Sequence, residues 1–275
     1  MSNTTPLDLQ SVQGTMLIPL WGRAKYSAKF PEILEDRAAM EIIKSHSFDF
    51  SGIEKTFGEF SGLCYIVRAR KMEDAVRRFI EKHPKATIVN IGAGLDTGFS
   101  RVDNGSIHWY NLDLPDSIAY RKTLLPDSER SACIAKSFFD ISWFDDIPFN
   151  QENGIMFISG GVFYYFKEEQ IKAVFAAMAH HFPGGEICFD AESQKAVEKS
   201  NEMVRKTGNK GAQMYFYVNN PQAIQSWSPM IRTVDIEPYS KGIPHKNRWS
   251  LKLRMQMAFM DKLGLMKFVH IKFAG

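Results

Sequence analysis

Two glycines separated by one residue follow a buried, apolar run and form the most informative part of the sequence. The run Val89-Asn90-Ile91 leads into Gly92 and Gly94, and a polar turn follows. Glycine has no Cβ, so the backbone at both positions can pass close beneath a ligand. A predicted strand that ends in this way indicates a binding site for a nucleotide-type ligand.

An acidic residue, Asp113, lies 21 residues after Gly92, at the end of the next predicted strand. A carboxylate in this place can accept hydrogen bonds from both hydroxyls of an adenosine ribose, and it disfavours a ribose that carries a 2′-phosphate. The alternative is a glycine turn held by a capping Asp, with no ligand.

Another acidic residue, Asp140, follows the third predicted strand and precedes Ile141. Asp140 could accept a hydrogen bond from an adenine amino group while Phe139 or Ile141 packs on the ring. The alternative is that Asp140 only caps the short helix that it precedes.

Two ligands fit a glycine turn followed by an acid: NAD and S-adenosylmethionine (AdoMet). The NAD fingerprint requires a third glycine, so that the pyrophosphate can rest on a helix N-terminus. Thr97 occupies that position here, and the next glycine, Gly98, comes one residue late. AdoMet has no pyrophosphate, so the spacing favours AdoMet, and an NAD-dependent oxidoreductase is the alternative.

The elements that must position these residues are strands separated by helices. Strands that do not alternate in polarity are typical of a parallel sheet covered on both faces. The last segment, Met266–Phe273, does alternate, which is typical of a strand at or beside a sheet edge. The pattern predicts an α/β fold with a doubly wound, six- or seven-stranded, mostly parallel sheet. The predicted strands are Ala86–Ile91, Ile107–Leu112, Ser131–Lys136, Gly154–Ser159, Glu186–Ala191, Ile231–Ile236 and Met266–Phe273, and the predicted helices among them are Pro115–Leu125, Glu168–His181 and Trp249–Lys262.

Helical segments precede the first strand. The pattern predicts one helix from Arg23, another that Pro31 opens, and a third over Tyr65–Lys82, which His83-Pro84 ends. We therefore expect an N-terminal helical cap over residues 1–83 and a ligand-binding core over residues 84–275, within one compact domain.

Composition excludes several classes of protein. The net charge of +3 is too small to indicate a nucleic-acid-binding protein, and no run of apolar residues is long enough to predict a membrane span. Met1–Gln10 lacks the features of a signal peptide. Cys64, Cys133 and Cys188 lack the spacing of a disulfide framework or a zinc site, so we expect no metal and a cytoplasmic location.

The run Val89–Thr97 closely resembles the V-N-L-G-A-G-x-D-T motif of the leucine carboxyl methyltransferase family, closest in type to its tetracenomycin-like polyketide O-methyltransferases. The resemblance spans about residues 15–195. It implies a class I AdoMet methyltransferase with a Rossmann-like core and an N-terminal cap. Further matching positions are Arg23-Ala24, Ser27 and Asp36 in the opening motif, Arg68 before the first strand, Asp113 and Pro115, Asp140-Ile141, and Gly161–Phe166.

The resemblance also implies which residues bind the cofactor. In the family, the arginine that Arg68 resembles holds the carboxylate of the methionyl tail. The implied cofactor-binding residues are Arg68, Gly92, Gly94, Asp96, Asp113, Leu114, Asp140, Ile141 and Gly160.

The sequence departs from the family at two positions. Gly98 stands where an arginine is usual, and Gly160 stands where an acidic residue faces the sulfonium or the methionyl amine. We expect Asp96 or backbone carbonyls near Gly160 to replace that acid. The aromatic run Phe163–Phe166 could also face the cation, or it could be core packing.

The methyl acceptor could be a carboxylate or a hydroxyl. A carboxylate is already ionised at neutral pH, whereas a phenol needs a base to remove its proton. No histidine lies in a context that suits such a base, so a carboxylate is favoured as the methyl acceptor. The cations that could bind it are Arg23, Lys25 and Arg248, and the alternative for each is a solvated surface charge. The segment Gln213–Tyr217 could cover the substrate, or it could be a strand or helix at the sheet edge. The remaining substrate-side candidates are Tyr164, Tyr165 and Tyr215.

Three hypotheses follow. The first is an AdoMet-dependent O-methyltransferase that acts on a small, polyketide-like molecule. The second is the NAD-dependent oxidoreductase, and the third is a family member that binds AdoMet without catalysis. We expect a small-molecule substrate and neither a nucleic acid nor a membrane as partner, and the sequence leaves the oligomeric state open.

Overall fold

Seven strands form one sheet in the order β3-β2-β1-β4-β5-β7-β6. The computed structural model describes residues 12–207 and 213–275. β1 to β5 are parallel, and β7 lies antiparallel between β5 and β6. The predicted doubly wound, mostly parallel sheet is confirmed. The strands are β1 Thr87–Ile91, β2 His108–Asp113, β3 Ser131–Ala135, β4 Ile155–Ser159, β5 Glu186–Glu192, β6 Ile231–Pro238 and β7 Met266–Phe273.

The sheet is buried on both faces. Every residue of β1 and β4 is buried. Successive side chains of a strand point to opposite faces, so Ile88 packs into one hydrophobic cluster and Val89 into another. This explains why these strands read as continuous apolar runs.

Helices pack around the sheet. The first three helices of the chain, α1 to α3, precede α4, and α4 packs directly on the sheet. Val76 and Phe79 of α4 share a hydrophobic cluster with Ile88 of β1. The boundary between the N-terminal cap and the core at residue 83 stays a prediction. It would place α4 in the cap, although α4 packs on the sheet. The helices are α1 Val12–Lys29, α2 Arg37–Ser45, α3 Ser51–Thr56, α4 Glu59–Ile80, α5 Phe99–Val102, α6 Pro115–Leu124, α7 Glu168–His181, α8 Gln194–Thr207 and α9 Leu251–Lys262.

The prediction that Pro31 opens a helix is wrong. Pro31 lies in a turn, and α2 begins at Arg37. The reason is Asp36, whose carboxylate accepts a hydrogen bond from the Ala39 N–H at 3.0 Å and caps the first turn. α8 was not predicted from the sequence, because it is mostly polar and its few apolar residues, although they recur at helical spacing, did not stand out.

α1 and α4 pack closely together because each helix has a glycine in the contact. A Cβ at Gly22 of α1 would overlap the Tyr65 ring of α4, and a Cβ at Gly62 of α4 would overlap the Tyr26 ring of α1. Each helix therefore provides a gap that a tyrosine of the other fills.

A buried carboxylate joins the N-terminal helices to the core. Asp36 accepts hydrogen bonds from Arg23 Nε at 2.8 Å and from Thr97 Oγ1 at 2.7 Å, and Arg101 Nη1 lies 2.7 Å from it. Burial alone would raise the pKa of Asp36, but the two arginines outweigh it and lower the pKa. Thr97 and Arg101 follow the glycine turn, so this carboxylate fixes the turn against α1 and α2.

We expect Asp36→Ala to lower the free energy of unfolding by about 3–5 kcal/mol, because it leaves buried arginines without their counter-charge. Urea unfolding at neutral pH measures the change, and Glu35→Ala, an exposed neighbour, should stay within about 0.5 kcal/mol. The folded-state pKa lies below that of the unfolded chain, so the difference should shrink as the pH falls through the folded pKa. Equal effects of the two variants would contradict this role.

Candidate functional site

The sequence-predicted residues meet at the carboxyl ends of β1, β2 and β4. The strand order reverses between β1 and β4, and open α/β sheets bind ligands in the crevice at such a point. The glycine turn follows β1, Asp113 ends β2, and Gly160 follows β4.

The glycine turn needs glycine at both positions. Gly92 and Gly94 have φ angles of +65° and +47°, a region that other residues rarely adopt. A Cβ at Gly92 would overlap the Val162 side chain, so the turns after β1 and β4 touch. Met16 of α1 lies over Gly94, with its Cγ 3.4 Å from where a Cβ would stand. The N-terminal helix therefore covers the turn.

Asp113 contacts the glycine turn directly. Its Oδ2 accepts a hydrogen bond from the Gly94 N–H at 2.7 Å, and its Oδ1 accepts one from the Leu114 N–H at 2.8 Å. Burial raises the pKa of Asp113, and these backbone donors oppose the rise. The two features that the sequence places 21 residues apart are thus joined by a hydrogen bond.

Two apolar side chains that follow the ends of β2 and β3 are exposed. Leu114 is 45% exposed and Ile141 is 50% exposed. Asp140 is exposed as well, and its carboxylate accepts a hydrogen bond from the Ser142 N–H at 3.2 Å, which is the capping role that the sequence left as the alternative. Exposed apolar groups at the edge of a crevice can cover a flat ring.

Arg68 extends from α4 across the turn after β4. Its Nε lies 2.9 Å from Asp190 Oδ2 in an ion pair whose N–H is not aligned for a hydrogen bond. Its Nη2 donates to the Tyr164 hydroxyl at 3.4 Å. Burial alone would lower the pKa of Arg68, but Asp190 together with Tyr164, Tyr239 and Tyr65 outweighs it and holds the pKa well above its usual range.

Gly160 and Gly161 leave the space that Arg68 fills. A Cβ at Gly160 would stand 3.0 Å from Arg68 Cδ, and a Cβ at Gly161, where φ is +81°, would overlap the guanidinium. An acidic side chain at position 160 would therefore compete with Arg68 for room.

Asp190 on β5 supplies a carboxylate that the sequence analysis did not identify. Its Oδ1 accepts a hydrogen bond from the Gly161 N–H at 2.7 Å, and its Oδ2 faces Arg68. Asp96, the expected replacement for the missing acid, instead accepts hydrogen bonds from Asn90 Nδ2 at 3.2 Å and from the Gly98 N–H at 2.8 Å. Asp96 thus stabilises its own loop.

A second carboxylate, Glu192, lies two residues after Asp190, and it too was missed. It is buried, and its Oε2 has no hydrogen-bond partner. A signal was available, because both acids follow the apolar run Ile187–Phe189 of β5, and a buried acid in a strand is rare unless it has a partner. Arg121 was also missed; its Nη1 donates to the Gly94 and Asp96 carbonyls at 2.9 and 2.8 Å.

The three cations proposed for the substrate all have partners elsewhere. Arg23 is buried against Asp36 and donates to the Leu95 carbonyl at 2.6 Å. Lys25 lies 2.6 Å from Glu54, and Arg248 lies 3.5 Å from Glu32. Their assignment to the substrate gains no support from these contacts.

Two of the three proposed tyrosines, Tyr164 and Tyr165, interact electrostatically with Asp190 and Glu192. Tyr164 is buried, whereas Tyr165 and Tyr215 are exposed. The Tyr215 N–H donates to the Tyr164 carbonyl at 2.6 Å, so the segment that contains Tyr215 contacts the turn after β4. Residues 213–217 form neither helix nor strand, and the preceding residues 208–212 lie outside the described part of the chain.

The described residues contain neither a metal-binding cluster nor a helix that could cross a membrane. Within residues 12–207 and 213–275, no group of three or more His, Cys, Asp or Glu side chains is placed to hold a metal ion. In the same part of the chain, no helix has the length and hydropathy to cross a membrane.

Comparison with known proteins agrees with this geometry. The family model for leucine carboxyl methyltransferase matches residues 17–179. The chain is 27% identical over 227 residues to the tetracenomycin polyketide synthesis O-methyltransferase TcmP of Streptomyces glaucescens, covering 82% of each chain.

Solved structures share the fold. A candidate methyltransferase from Thermobifida fusca YX superposes with a TM-score of 0.62 at 11% identity, over 98% of this chain and 97% of that one. The plantazolicin methyltransferase BamL, in complex with a substrate analogue and S-adenosylhomocysteine (SAH), gives 0.53 at 9% identity, over 96% and 100% of the chains. The family match covers more than half of the sequence and includes the glycine turn, Asp113 and Arg68, so the chain belongs to the leucine carboxyl methyltransferase family and is a methyltransferase with the class I α/β fold.

Proposed function

We propose that this protein transfers the methyl group of AdoMet to an oxygen atom of a small molecule. The observation that carries the proposal is the hydrogen bond that the Gly94 N–H donates to Asp113 Oδ2 at 2.7 Å. Asp113, which would accept from the ribose, thus contacts a backbone turn without side chains, and Arg68 extends across the turn after β4 at the same edge of the sheet. BamL, which shares the fold, was solved with SAH, the demethylated form of this cofactor.

The residues of the site fit AdoMet. Arg68 would bind the carboxylate of the methionyl tail, and Asp113 would accept from the ribose hydroxyls. Leu114 and Ile141 would cover the adenine. Met16 of α1, which lies over Gly94, would exclude water from the turn. When bound, AdoMet supplies an electrophilic methyl group on a sulfonium.

The residues fit NAD less well. The pyrophosphate of NAD rests on the N-terminus of a helix that directly follows the glycine turn. Here the first helix after the turn, α5, begins only at Phe99 and has four residues.

The acceptor, by this proposal, is a small molecule rather than a nucleic acid or a membrane. The net charge of +3 provides little attraction for a polyanion. We also propose a cytoplasmic location, since Cys64, Cys133 and Cys188 are all unpaired, as is usual in a reducing compartment.

Calorimetric titration with AdoMet, SAH and NADH tests the choice of cofactor. We expect heat of binding for the first two and none for NADH. Binding of NADH alone would identify an oxidoreductase instead.

We expect Asp113→Ala to weaken AdoMet binding by about 1.5–3 kcal/mol, the range for hydrogen bonds to a charged group. The matched control is Asp116→Ala, which removes an exposed carboxylate three residues further along. Calorimetry measures both dissociation constants. An unchanged constant for the Asp113 variant would remove this residue from the site.

We expect Arg68→Ala to harm AdoMet binding more than Arg70→Ala, because Arg70 is occupied by Asp74 and the Ile33 carbonyl. The Arg68 variant also leaves Asp190 buried without its counter-charge, which destabilises the fold. The double variant Arg68→Ala with Asp190→Asn removes that second effect. If its thermal stability recovers and its AdoMet binding does not, Arg68 binds the cofactor; the reverse order for Arg68 and Arg70 would contradict the assignment.

A further inference from the structure

α9 exposes a row of apolar side chains on the side that faces away from the protein. Its buried side chains, Leu253, Met257 and Met260, belong to the hydrophobic cluster that also contains Phe268 of β7. On the other side, large apolar residues recur at every fourth position, and they are the four most exposed of their kind in residues 12–207 and 213–275: Leu251 (71%), Met255 (64%), Phe259 (60%) and Leu263 (52%). An apolar surface bordered by polar groups is typical of an interaction site.

The charged side chains that border this row are all basic. Because successive residues of a helix are rotated by about 100°, Lys252 lies on one side of the row, and Arg254 and Lys262 lie on the other. All three are exposed, and within the described part of the chain none of them takes part in an ion pair.

The positive net charge of the protein is concentrated around this helix. Residues 246–263 include five basic residues and one acidic residue, which gives them a net charge of +4, whereas the whole chain has +3. The remaining residues therefore have a net charge of −1. The small charge of the whole chain does not reveal this local excess of cations.

The one acid of this segment does not neutralise the cations beside the row. Asp261 is directed towards the turn after β6, where its Oδ1 accepts a hydrogen bond from the Ser240 N–H at 3.1 Å and its Oδ2 accepts one from the Ser240 hydroxyl. Lys246 donates to the same hydroxyl oxygen at 2.7 Å. Lys252, Arg254 and Lys262 are left to attract an anionic partner.

We propose that α9 is the docking surface for a partner protein that presents an acidic amphipathic helix. Side chains at every fourth position of a helix form a ridge, and such ridges pack into the grooves of a second helix. The row from Leu251 to Leu263 is about 18 Å long, which is the length of about three helical turns. Acidic side chains beside the apolar residues of the partner helix would pair with the cations on both sides of the row. This proposal does not depend on methyl transfer.

A second copy of the chain fits this surface less well. A two-fold symmetric contact brings the same patch of both copies together. Every charge beside the row is positive, so pairing two α9 helices would place Arg254 and Lys262 against cations of the other copy. Like charges that face each other across an interface oppose its formation.

A lipid bilayer also fits less well. Helices that lie in a membrane surface have a broad apolar face, of about 100° or more, whereas this row is a single line of residues with Lys252 and Arg254 immediately beside it. Such a narrow line is typical of a contact between two helices. A nucleic acid would pair with the cations and leave the apolar row without a partner.

Two synthetic peptides test the proposal. The acidic peptide has about three heptads, with leucine at the apolar positions and glutamate on both sides of them, and in the basic peptide lysine replaces every glutamate. Fluorescence anisotropy of the labelled peptides measures binding to the full chain. We expect the acidic peptide to bind, added salt to weaken that binding, and the basic peptide not to bind.

Reversing the charge beside the row should reverse the preference. We expect Arg254→Glu with Lys262→Glu to bind the acidic peptide at least about tenfold more weakly than the parent does, and the basic peptide more tightly. The double variant Met255→Ser with Phe259→Ser removes the centre of the row and should weaken the binding of the acidic peptide as well. All four side chains are exposed, so both variants should melt within about 2 °C of the parent.

The matched control is Lys85→Glu with Lys172→Glu. It changes the net charge by the same amount at two exposed lysines outside α9. We expect it to bind the acidic peptide with the affinity of the parent. An equal loss of binding in the control would mean that overall charge, rather than α9, attracts the peptide, and it would overturn the proposal.

Other results would also overturn it. These are failure of the parent to bind the acidic peptide, or binding that survives the charge reversal on α9. Light scattering during size-exclusion chromatography would assign the row to a second copy if it detects a dimer that Met255→Ser with Phe259→Ser abolishes. Co-sedimentation with vesicles of phosphatidylcholine and about 30% phosphatidylglycerol, lost in the same variant, would assign the row to a membrane. AdoMet binding is measured separately, and its failure would contradict the proposed function alone.

Discussion

One guanidinium, that of Arg68, balances the negative charge that the chain buries at the ends of β4 and β5. It reaches Asp190 at 2.9 Å by crossing the two glycines after β4. A buried ion destabilises a protein unless it is paired with an opposite charge. The ion pair between Arg68 and Asp190 therefore limits which other charged groups the site can bury. It explains why glycine stands at position 160, and it leaves Glu192 with little electrostatic compensation.

A second buried carboxylate plays a similar role on the other side of the glycine turn. Asp36 holds Arg23, Thr97 and Arg101 together, and Arg121 fastens the turn through two carbonyls. The turn is thus fixed by groups from the N-terminal helices, from β2 through Asp113 and from α6. A backbone turn that binds a ligand through its own N–H groups must be rigid, because no side chain can adjust to improve the contact.

Much of the fold could be predicted from local patterns. Buried strands read as apolar runs because both faces of β1 and β4 are covered, and the glycine turn with Asp113 has a recognisable spacing. The start of α2 could not be predicted from Pro31, because the cap at Asp36 is itself determined by tertiary pairing with Arg23 and Arg101. The helix α8 was not found, because it is mostly polar and has few apolar residues.

The site could be predicted where its residues lie in one motif and not where they depend on pairing across strands. Asp113 and Arg68 were singled out in this way, and their roles in cofactor binding stay predictions. Asp190 and Glu192 were not singled out, because their environment depends on Arg68, which reaches β5 from a helix more than a hundred residues earlier in the chain. Only the tertiary structure reveals that Asp190 faces this arginine.

The crossing of α1 and α4 has a consequence for how this sequence can diverge. Gly22 accommodates Tyr65, and Gly62 accommodates Tyr26, so each small residue and its ring form a complementary unit. Enlarging either glycine is tolerable only if the opposing ring shrinks in the same lineage. Homologous chains should therefore exchange these positions in pairs, and correlated replacement of 22 with 65 and of 62 with 26 would be the evolutionary trace of the interlocked helices.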